Sequence, residues 1–343
     1  MRDHLDLLTI AMADSGTDVL LLGRPGNARW VTGAESLWLS GTRPFAPGCV
    51  VVREPPSVHL LSVTDEGVPA DVVPPSNLFP ISWNPINLMG ALGAIPGLPG
   101  ATRIGVDSIT PMMEQLLGAT FPNAELIDGE ALLRTVRRVK SSADVDAIRA
   151  AVALAEECLR AAVDALTPGV HERDLVGVFE EHMAARGVTT PAFEGTFVVA
   201  DSASRSLVTE RAIAAGDLVH LRAGVLRDGW EGWLSRTAVC GAAPSDPLAD
   251  RQRRACGAWR AAIDADRDRC RPGTSVGELR GAAVGITVDG IGMGHEELAN
   301  GDVLEPGVVM AVEATVDEVL GSEAVLVTPA GYELLTTFPH PLA

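Results

Sequence analysis

The sequence lacks the usual marks of secreted, disulfide-bonded and membrane-spanning proteins. Its 343 residues include only five cysteines, an odd number, which lie far apart and form no CxxC pair. This usage speaks against a zinc site and favours reduced, mostly buried thiols in a cytoplasmic protein. No apolar run approaches the length of a membrane span, and the N-terminus has no basic segment followed by an apolar one. We therefore expect a cytoplasmic location without a signal peptide and without a membrane partner.

Basic stretches are also scarce. Lys and Arg number 27 against 45 Asp and Glu, which gives a formal net charge of −18. A charge of this sign opposes contact with nucleic acids and anionic membranes, so no nucleic-acid partner is expected. A Gly-x-Ser-x-Gly elbow is missing, which makes a serine hydrolase improbable. The glycines of 290–294 lack the spacing and the strand-then-helix context of a phosphate loop, which excludes a nucleotide site.

The chain does have enough length for two domains with separate cores. Its first third alternates helical patterns with short strands rich in β-branched residues, such as 49–53 and 58–63. A basic, exposed-looking segment, Arg134–Lys140, follows and indicates a boundary. We predict an N-terminal α/β domain over residues 1–132 and a second domain over 133–343.

The second domain is predicted to be α+β. Ser141 or Ser142 supplies an N-cap for a long helix, and a second helix spans roughly 172–186. Strand patterns then alternate with turns, as at 218–223 and 233–240 on either side of Asp228-Gly229. Two helices feeding a mostly antiparallel sheet is the expected arrangement.

Several short motifs occur in a fixed order along nearly the whole chain. They are Asn27-Ala28-Arg29-Trp30-Val31-Thr32-Gly33, Arg138-Val139-Lys140-Ser141, Pro168-Gly169-Val170, Gly216-Asp217-Leu218-Val219, Ser235-Arg236-Thr237, Gly290-Ile291-Gly292, His295-Glu296 and Leu304-Glu305-Pro306-Gly307. With these motifs the chain resembles the family of creatinase, prolidase, aminopeptidase P and methionine aminopeptidase. The resemblance implies a pita-bread fold in the C-terminal domain, a smaller creatinase-type α/β domain before it, and a homodimer.

The same resemblance implies a dinuclear metal site, but most of its ligands are replaced in this sequence. In the family, two Asp, one His and two Glu hold two divalent metals, and a bridging water becomes the nucleophile. Matched motif by motif, these ligands fall on Arg222, Trp233, Asp289, Glu313 and Ser322. Only Glu313 keeps its family identity, and Arg205 replaces a histidine of the family's pocket. We therefore expect neither a metal nor another cofactor.

Arg222 carries the strongest prediction. A guanidinium has only donors and stays protonated, so it cannot ligate a metal ion. A buried guanidinium needs a carboxylate partner. We predict that Arg222 occupies the vacated metal position and pairs with Glu313 or Asp289. An alternative is a single metal held by Asp289, Glu313 and Glu323.

Strand periodicity adds His220 to the candidate site. Residues two apart on a strand face the same side, so His220 points where Arg222 points. With His295 and Glu313 it would form a metal-free acid/base set, similar to the metal-independent creatinase branch of the family. Arg222, Trp233, Asp289 and Arg205 are then candidate ligand-binding residues. The alternative is that His220 has only a structural role and that the ion pair of Arg222 fills an inactive site.

These residues favour a family member without its metal centre. It would bind a small amino-acid-like or peptide-like molecule, or transform it without metal. A catalytically inert scaffold or interaction protein is the first alternative. A divergent metallopeptidase, in which the ligands match other positions, is the second.

Overall fold

A computed structural model describes residues 2–35, 37, 47–80, 84–200, 206–241, 247–281, 285–294 and 296–341. The chain forms two compact units, Met1–Arg137 and Arg138–Ala343. Within the described ranges no helix combines the length and the apolarity needed to cross a bilayer. The five cysteines are buried and unpaired, as the sequence predicted.

The N-terminal unit contains a six-stranded mixed sheet with the order β4-β3-β2-β1-β5-β6. Its strands are β1 (Val19–Leu22), β2 (Cys49–Val52), β3 (Ser57–Leu61), β4 (Leu78–Phe79), β5 (Arg103–Val106) and β6 (Glu125–Asp128). Its helices are α1 (Arg2–Ser15), α2 (Pro25–Thr32), α3 (Pro85–Gly93), α4 (Pro111–Thr120) and α5 (Gly129–Arg138). The predicted α/β class is confirmed. The predicted boundary between residues 132 and 133 falls inside α5, whereas the compact units divide after Arg137.

The basic segment Arg134–Lys140 is less exposed than the sequence suggests, because two of its basic residues are buried. Arg137 and Lys140 are only 5% and 8% exposed. Arg137 lies on α5 and donates a hydrogen bond to the side-chain oxygen of Asn27 on α2. The segment looked exposed because a partner such as Asn27 is distant from it in the sequence. Tertiary hydrogen bonds instead hold the charge of Arg137 inside the N-terminal unit.

The C-terminal unit joins helices to two antiparallel sheets. Its helices are α6 (Ser142–Asp164), α7 (Glu172–Ala185), α8 (Pro247–Arg267) and α9 (Val276–Arg280). Its strands are β7 (Thr196–Val199), β8 (Leu218–Arg227), β9 (Trp230–Val239), β10 (Ile286–Gly290), β11 (Val309–Val316), β12 (Val319–Thr328) and β13 (Gly331–Leu334). Ser141 caps α6 through a capping box with Asp144, which explains why the helix begins there.

Strands β7, β8 and β9 form one sheet, and β10 to β13 form the other. Apolar side chains of α6 and α7 pack on the first sheet, and those of α8 and α9 pack on the second. The turn between β8 and β9 has positive φ at Asp228 and Gly229, as a two-residue hairpin of type I′ requires. The predicted α+β architecture with antiparallel pairing is confirmed.

Hydrogen bonds between β9 and β12 join the two sheets. The Thr237 hydroxyl donates to the Leu320 carbonyl and accepts from the Leu320 amide, both at 2.8 Å. The fully buried Arg236 guanidinium donates to the carbonyls of Ser235, Ser322 and Phe338. A buried arginine with so many acceptors fixes the two strands in one register. Because β8 pairs with β9 and β11 pairs with β12, these bonds also fix the position of β8 relative to β11.

Asp266, in the last turn of α8, is a buried carboxylate whose oxygens find no hydrogen-bond partner among the described residues. Burial raises its pKa to about 6, so the folded protein holds this proton to a higher pH than the unfolded chain does. The stability that depends on this proton is present below pH 4 and is lost as the pH rises through 6. We expect D266N to raise the free energy of unfolding at pH 7 by about 1–2 kcal/mol. Urea denaturation should show this gain shrinking as the pH is lowered towards 5, whereas a growing gain would contradict the assignment.

Candidate functional site

The hairpin of β8 and β9 presents the first half of the site. Val219 and Leu221 of β8 are buried in the core against α6 and α7, while His220 and Arg222 are only partly buried. The period-two prediction for this strand is therefore confirmed. Arg222 lies directly opposite Ser235 on β9, and Trp233 lies opposite Gly224, so their side chains share the face of Arg222.

Strand β11 supplies the second half of the site, Glu313, which two contacts place opposite the β8–β9 hairpin. The Ser235 amide donates to the Ser322 hydroxyl on β12 at 2.8 Å. Ser322 in turn lies directly opposite Glu313 on β11. Because paired residues point to the same side of a sheet, this relay brings Glu313 to face Arg222.

Arg222 and Glu313 form an ion pair, as predicted. The Nε atom of Arg222 lies 3.2 Å from Oε2 of Glu313, and the two side chains are 28% and 15% exposed. Two aromatic rings cover the guanidinium, since its Cζ lies 4.4 Å from the Phe193 ring centre and 4.6 Å from that of Trp233. The rings meet nearly at right angles, at 83°. These cation–π contacts and the carboxylate hold the cation in one orientation.

Phe193 is the member of this group that the sequence did not reveal. It lies in the loop before β7, where the Ala192 amide donates to the Gly224 carbonyl at 3.0 Å. A loop carries no hydrophobic period, so only this tertiary contact shows its position. Gly224 itself is required, because a Cβ there would stand 2.3 Å from the Cβ of Trp233. In the sequence, the only sign of this close packing was a glycine, Gly224, within a strand pattern, because a strand glycine often marks a close approach of another backbone.

His220 is neutral and oriented. Its Nε2 lies 2.8 Å from the Glu318 carbonyl oxygen, which can only accept, so Nε2 carries the proton. Burial lowers the pKa of His220, although Glu313 and the Glu318 carbonyl partly oppose this shift. The charge of Glu313 therefore acts on the His220 ring. With the proton on Nε2, the Nδ1 atom carries the lone pair of the neutral ring.

Asp289 lies on the same face of the sheet as Glu313, but it does not contact Arg222. On β10 it lies opposite Ala311, two residues before Glu313 on the neighbouring strand, and it is exposed. Its carboxylate makes no hydrogen bond or ion pair with any described residue. Of the two predicted partners, Glu313 is the one that Arg222 contacts.

The single-metal alternative fails at Glu323. This residue lies opposite Val312, which points to the core side of β11, so Glu323 faces away from Glu313. Its carboxylate accepts from the Thr336 hydroxyl and lies 3.5 Å from Arg236. Successive side chains of a strand point to opposite faces of the sheet. Glu323 therefore cannot place a carboxylate on the face where Ser322 lies.

Two predicted site residues, Arg205 and His295, lie outside the described residues. Among the residues that are described, no group of three or more His, Cys, Asp or Glu side chains lies close enough together to hold a metal ion. The structure thus brings together His220, Arg222, Trp233 and Glu313, with Asp289 beside them.

Two protein-family models match this chain. The model of metallopeptidase family M24 matches residues 146–326, and that of the creatinase/prolidase N-terminal domain matches residues 5–139. The chain belongs to metallopeptidase family M24. An uncharacterized peptidase of Staphylococcus haemolyticus is 27% identical over 257 residues, which is 68% of this chain and 72% of that protein. The Xaa-Pro dipeptidase of Pyrococcus horikoshii is 27% identical over 150 residues, 42% of each chain.

Solved structures share the fold of this M24 chain. The prolidase from Pyrococcus horikoshii has a TM-score of 0.78 at 19% identity, with 99% of this chain and 100% of that chain covered. The Xaa-Pro dipeptidase from Bacillus anthracis has a TM-score of 0.79 at 20% identity, with 99% and 98% covered. The predicted pita-bread fold with a creatinase-type N-terminal domain is confirmed.

The donor set of this chain does not fit the dinuclear centre of the M24 family. At the positions that the motif resemblance assigns to the family's metal ligands stand the guanidinium of Arg222, the indole of Trp233 and the hydroxyl of Ser322, beside the carboxylates of Asp289 and Glu313. Neither a guanidinium nor an indole offers a lone pair to a metal ion. The Ser322 hydroxyl already accepts from Ser235, and Arg222 already neutralises Glu313. No chemical step of this site is therefore assigned to a metal.

Proposed function

We propose that this M24 protein has lost the dinuclear metal centre and uses the same site, without metal, for a small amino-acid-like or peptide-like molecule. The Arg222–Glu313 ion pair between the Phe193 and Trp233 rings carries the proposal. A fixed cation takes the place where the family puts metal charge, and a cation suits an anionic group of a ligand. Arg222 and Trp233 would hold the ligand.

The chemistry available to this site is proton transfer. The Nδ1 atom of His220 carries a lone pair that no described residue uses, and the Glu313 carboxylate lies 3.2 Å from the Arg222 Nε. A neutral imidazole and a carboxylate can act as base and acid in turn once a ligand lies between them. The proposal of a metal-independent hydrolase or lyase rests on this geometry and on the resemblance to the metal-independent creatinase branch, whereas the named relatives are peptidases.

Two further parts of the proposal concern the whole protein. We infer a homodimer from the family resemblance. We infer a cytoplasmic location from five buried and unpaired thiols, which are typical of a reducing compartment.

Metal analysis tests the proposed function. We expect protein incubated with Mn²⁺, Co²⁺ or Zn²⁺ and then passed through a desalting column to retain no stoichiometric metal, because Arg222 repels a divalent cation from Glu313. Elemental analysis by mass spectrometry gives the metal content. E313Q is the matched control, since it removes the family ligand that remains but keeps the shape of the side chain. Stoichiometric metal in the wild type that is absent from E313Q would overturn the proposal and favour a divergent metallopeptidase.

A further inference from the structure

The outer edge of the Arg222 guanidinium forms no hydrogen bond within the described part of the chain. Phe193 and Trp233 cover its planar faces, and Nε donates to Glu313. The two Nη atoms make no hydrogen bond or ion pair with any described residue, although 28% of the side chain is exposed. A guanidinium edge with two parallel N–H groups has the geometry that a carboxylate accepts in a bidentate pair. The rings and Glu313 fix that edge before any ligand arrives.

Asp289 offers the opposite charge near by. It lies on β10, opposite Ala311 and therefore diagonal to Glu313 on the same face of the sheet. Diagonal neighbours on paired strands have Cβ atoms roughly 7 Å apart. Asp289 is exposed, and within the described part of the chain its carboxylate has no cation beside it. It is thus a carboxylate ready to accept an ammonium group.

The charges of these groups favour one class of ligand over another. Arg222 brings one positive charge, while Glu313 and Asp289 each bring a negative one. A ligand with a carboxylate alone would add repulsion to a group that is already negative overall. A ligand with a carboxylate and an ammonium group would leave the total unchanged and give each free edge a partner.

We propose that Arg222 and Asp289 form a two-ended receptor for a zwitterion, with the ligand carboxylate on the Nη edge of Arg222 and the ligand ammonium on Asp289. This inference rests on the proposed function, because a metal at the site would occupy Asp289 and Glu313 itself. It goes further by naming the two charged groups of the ligand and the residue that binds each.

Three related dipeptide probes test the receptor by calorimetry. Glycyl-proline carries both charges, N-acetylglycyl-proline lacks the ammonium, and glycyl-prolinamide lacks the carboxylate. We expect glycyl-proline to bind about tenfold or more tightly than either singly charged compound, which corresponds to about 1.4 kcal/mol. D289N should abolish the preference over N-acetylglycyl-proline, and R222M should abolish the preference over glycyl-prolinamide.

The controls separate this receptor from general charge effects and from the proposed function. D228N removes one acidic charge in the exposed turn of the β8–β9 hairpin, and it should keep both preferences. If R222M fails to fold, the exposed Asp289 still provides the D289N arm. Equal binding of glycyl-proline and its N-acetyl derivative by metal-free protein would overturn the receptor alone. Saturable binding of none of the three probes would overturn it as well, whereas metal in the wild-type site would first refute the proposed function.

Discussion

Replacing Gly232 by alanine is expected to destabilise the C-terminal unit by about 3 kcal/mol. Gly232 lies on β9, and a Cβ built there would stand 2.1 Å from the carbonyl carbon of Ala151 and 2.2 Å from the amide nitrogen of Val152. Both are backbone atoms in the middle of α6, so neither can rotate away as a flexible side chain could. The helix would have to move from the sheet on which its buried residues pack. Urea denaturation of G232A measures this loss directly.

A second glycine provides the matched control for this prediction. Gly177 lies inside α7, and nothing lies within 4 Å of a Cβ built on it. G177A should therefore stabilise the protein by about 0.5–1 kcal/mol, because alanine loses less backbone entropy in a helix. If G232A unfolded at the same urea concentration as the wild type, the close approach of α6 to β9 would be wrong.

Strand periodicity accounts for most of what the sequence revealed about the site. Side chains two apart on β8 share a face, so the two-residue period is enough to place His220 and Arg222 together. The same rule explains a failure. Glu323 differs from Ser322 by one position, and that single step turns its carboxylate to Arg236 and Thr336 on the other side of the sheet. The face of a residue was predictable, whereas its partner in space was not.

Other parts of the site depend on contacts that no local pattern contains. Phe193 belongs to a loop, and only the hydrogen bond of Ala192 to Gly224 brings it over Arg222. The choice of Glu313 rather than Asp289 as the partner of Arg222 follows from the register between β11 and β12 and from the Ser235–Ser322 bond. The two-domain fold was predictable for a different reason, since ordered motifs along the whole chain identified the family. Motifs of this kind give the fold, but they do not say what replaced residues bind.

Returning the replaced positions to the family's ligands should give this chain a metal site. The fourfold variant R222D/W233D/D289H/S322E keeps Glu313 and restores the two aspartates, the histidine and the second glutamate that the family resemblance implies. Without metal, the added carboxylates repel one another, and the loss of the Trp233 ring removes packing, so the variant should be less stable than the wild type. Added Mn²⁺ or Co²⁺ should then raise its melting temperature by a large margin, because ligands that bind only the folded state stabilise it. Differential scanning calorimetry with Mn²⁺ and with a chelator measures both effects.

Two further variants distinguish a failure to fold from the absence of a metal site. R222D/S322E leaves the buried Trp233 in place and still brings four carboxylates together, so it should fold and bind a single metal ion even if the fourfold variant does not fold. Adding E313Q to either variant should weaken the metal response, because Glu313 is the one family ligand that the chain has kept. Metal should leave the melting temperature of the wild type unchanged, since Arg222 holds Glu313 at 3.2 Å. A folded R222D/S322E protein that shows no response to metal would mean that positions 222, 289, 313 and 322 do not converge on one cation, and the match to the family's ligand set would be wrong.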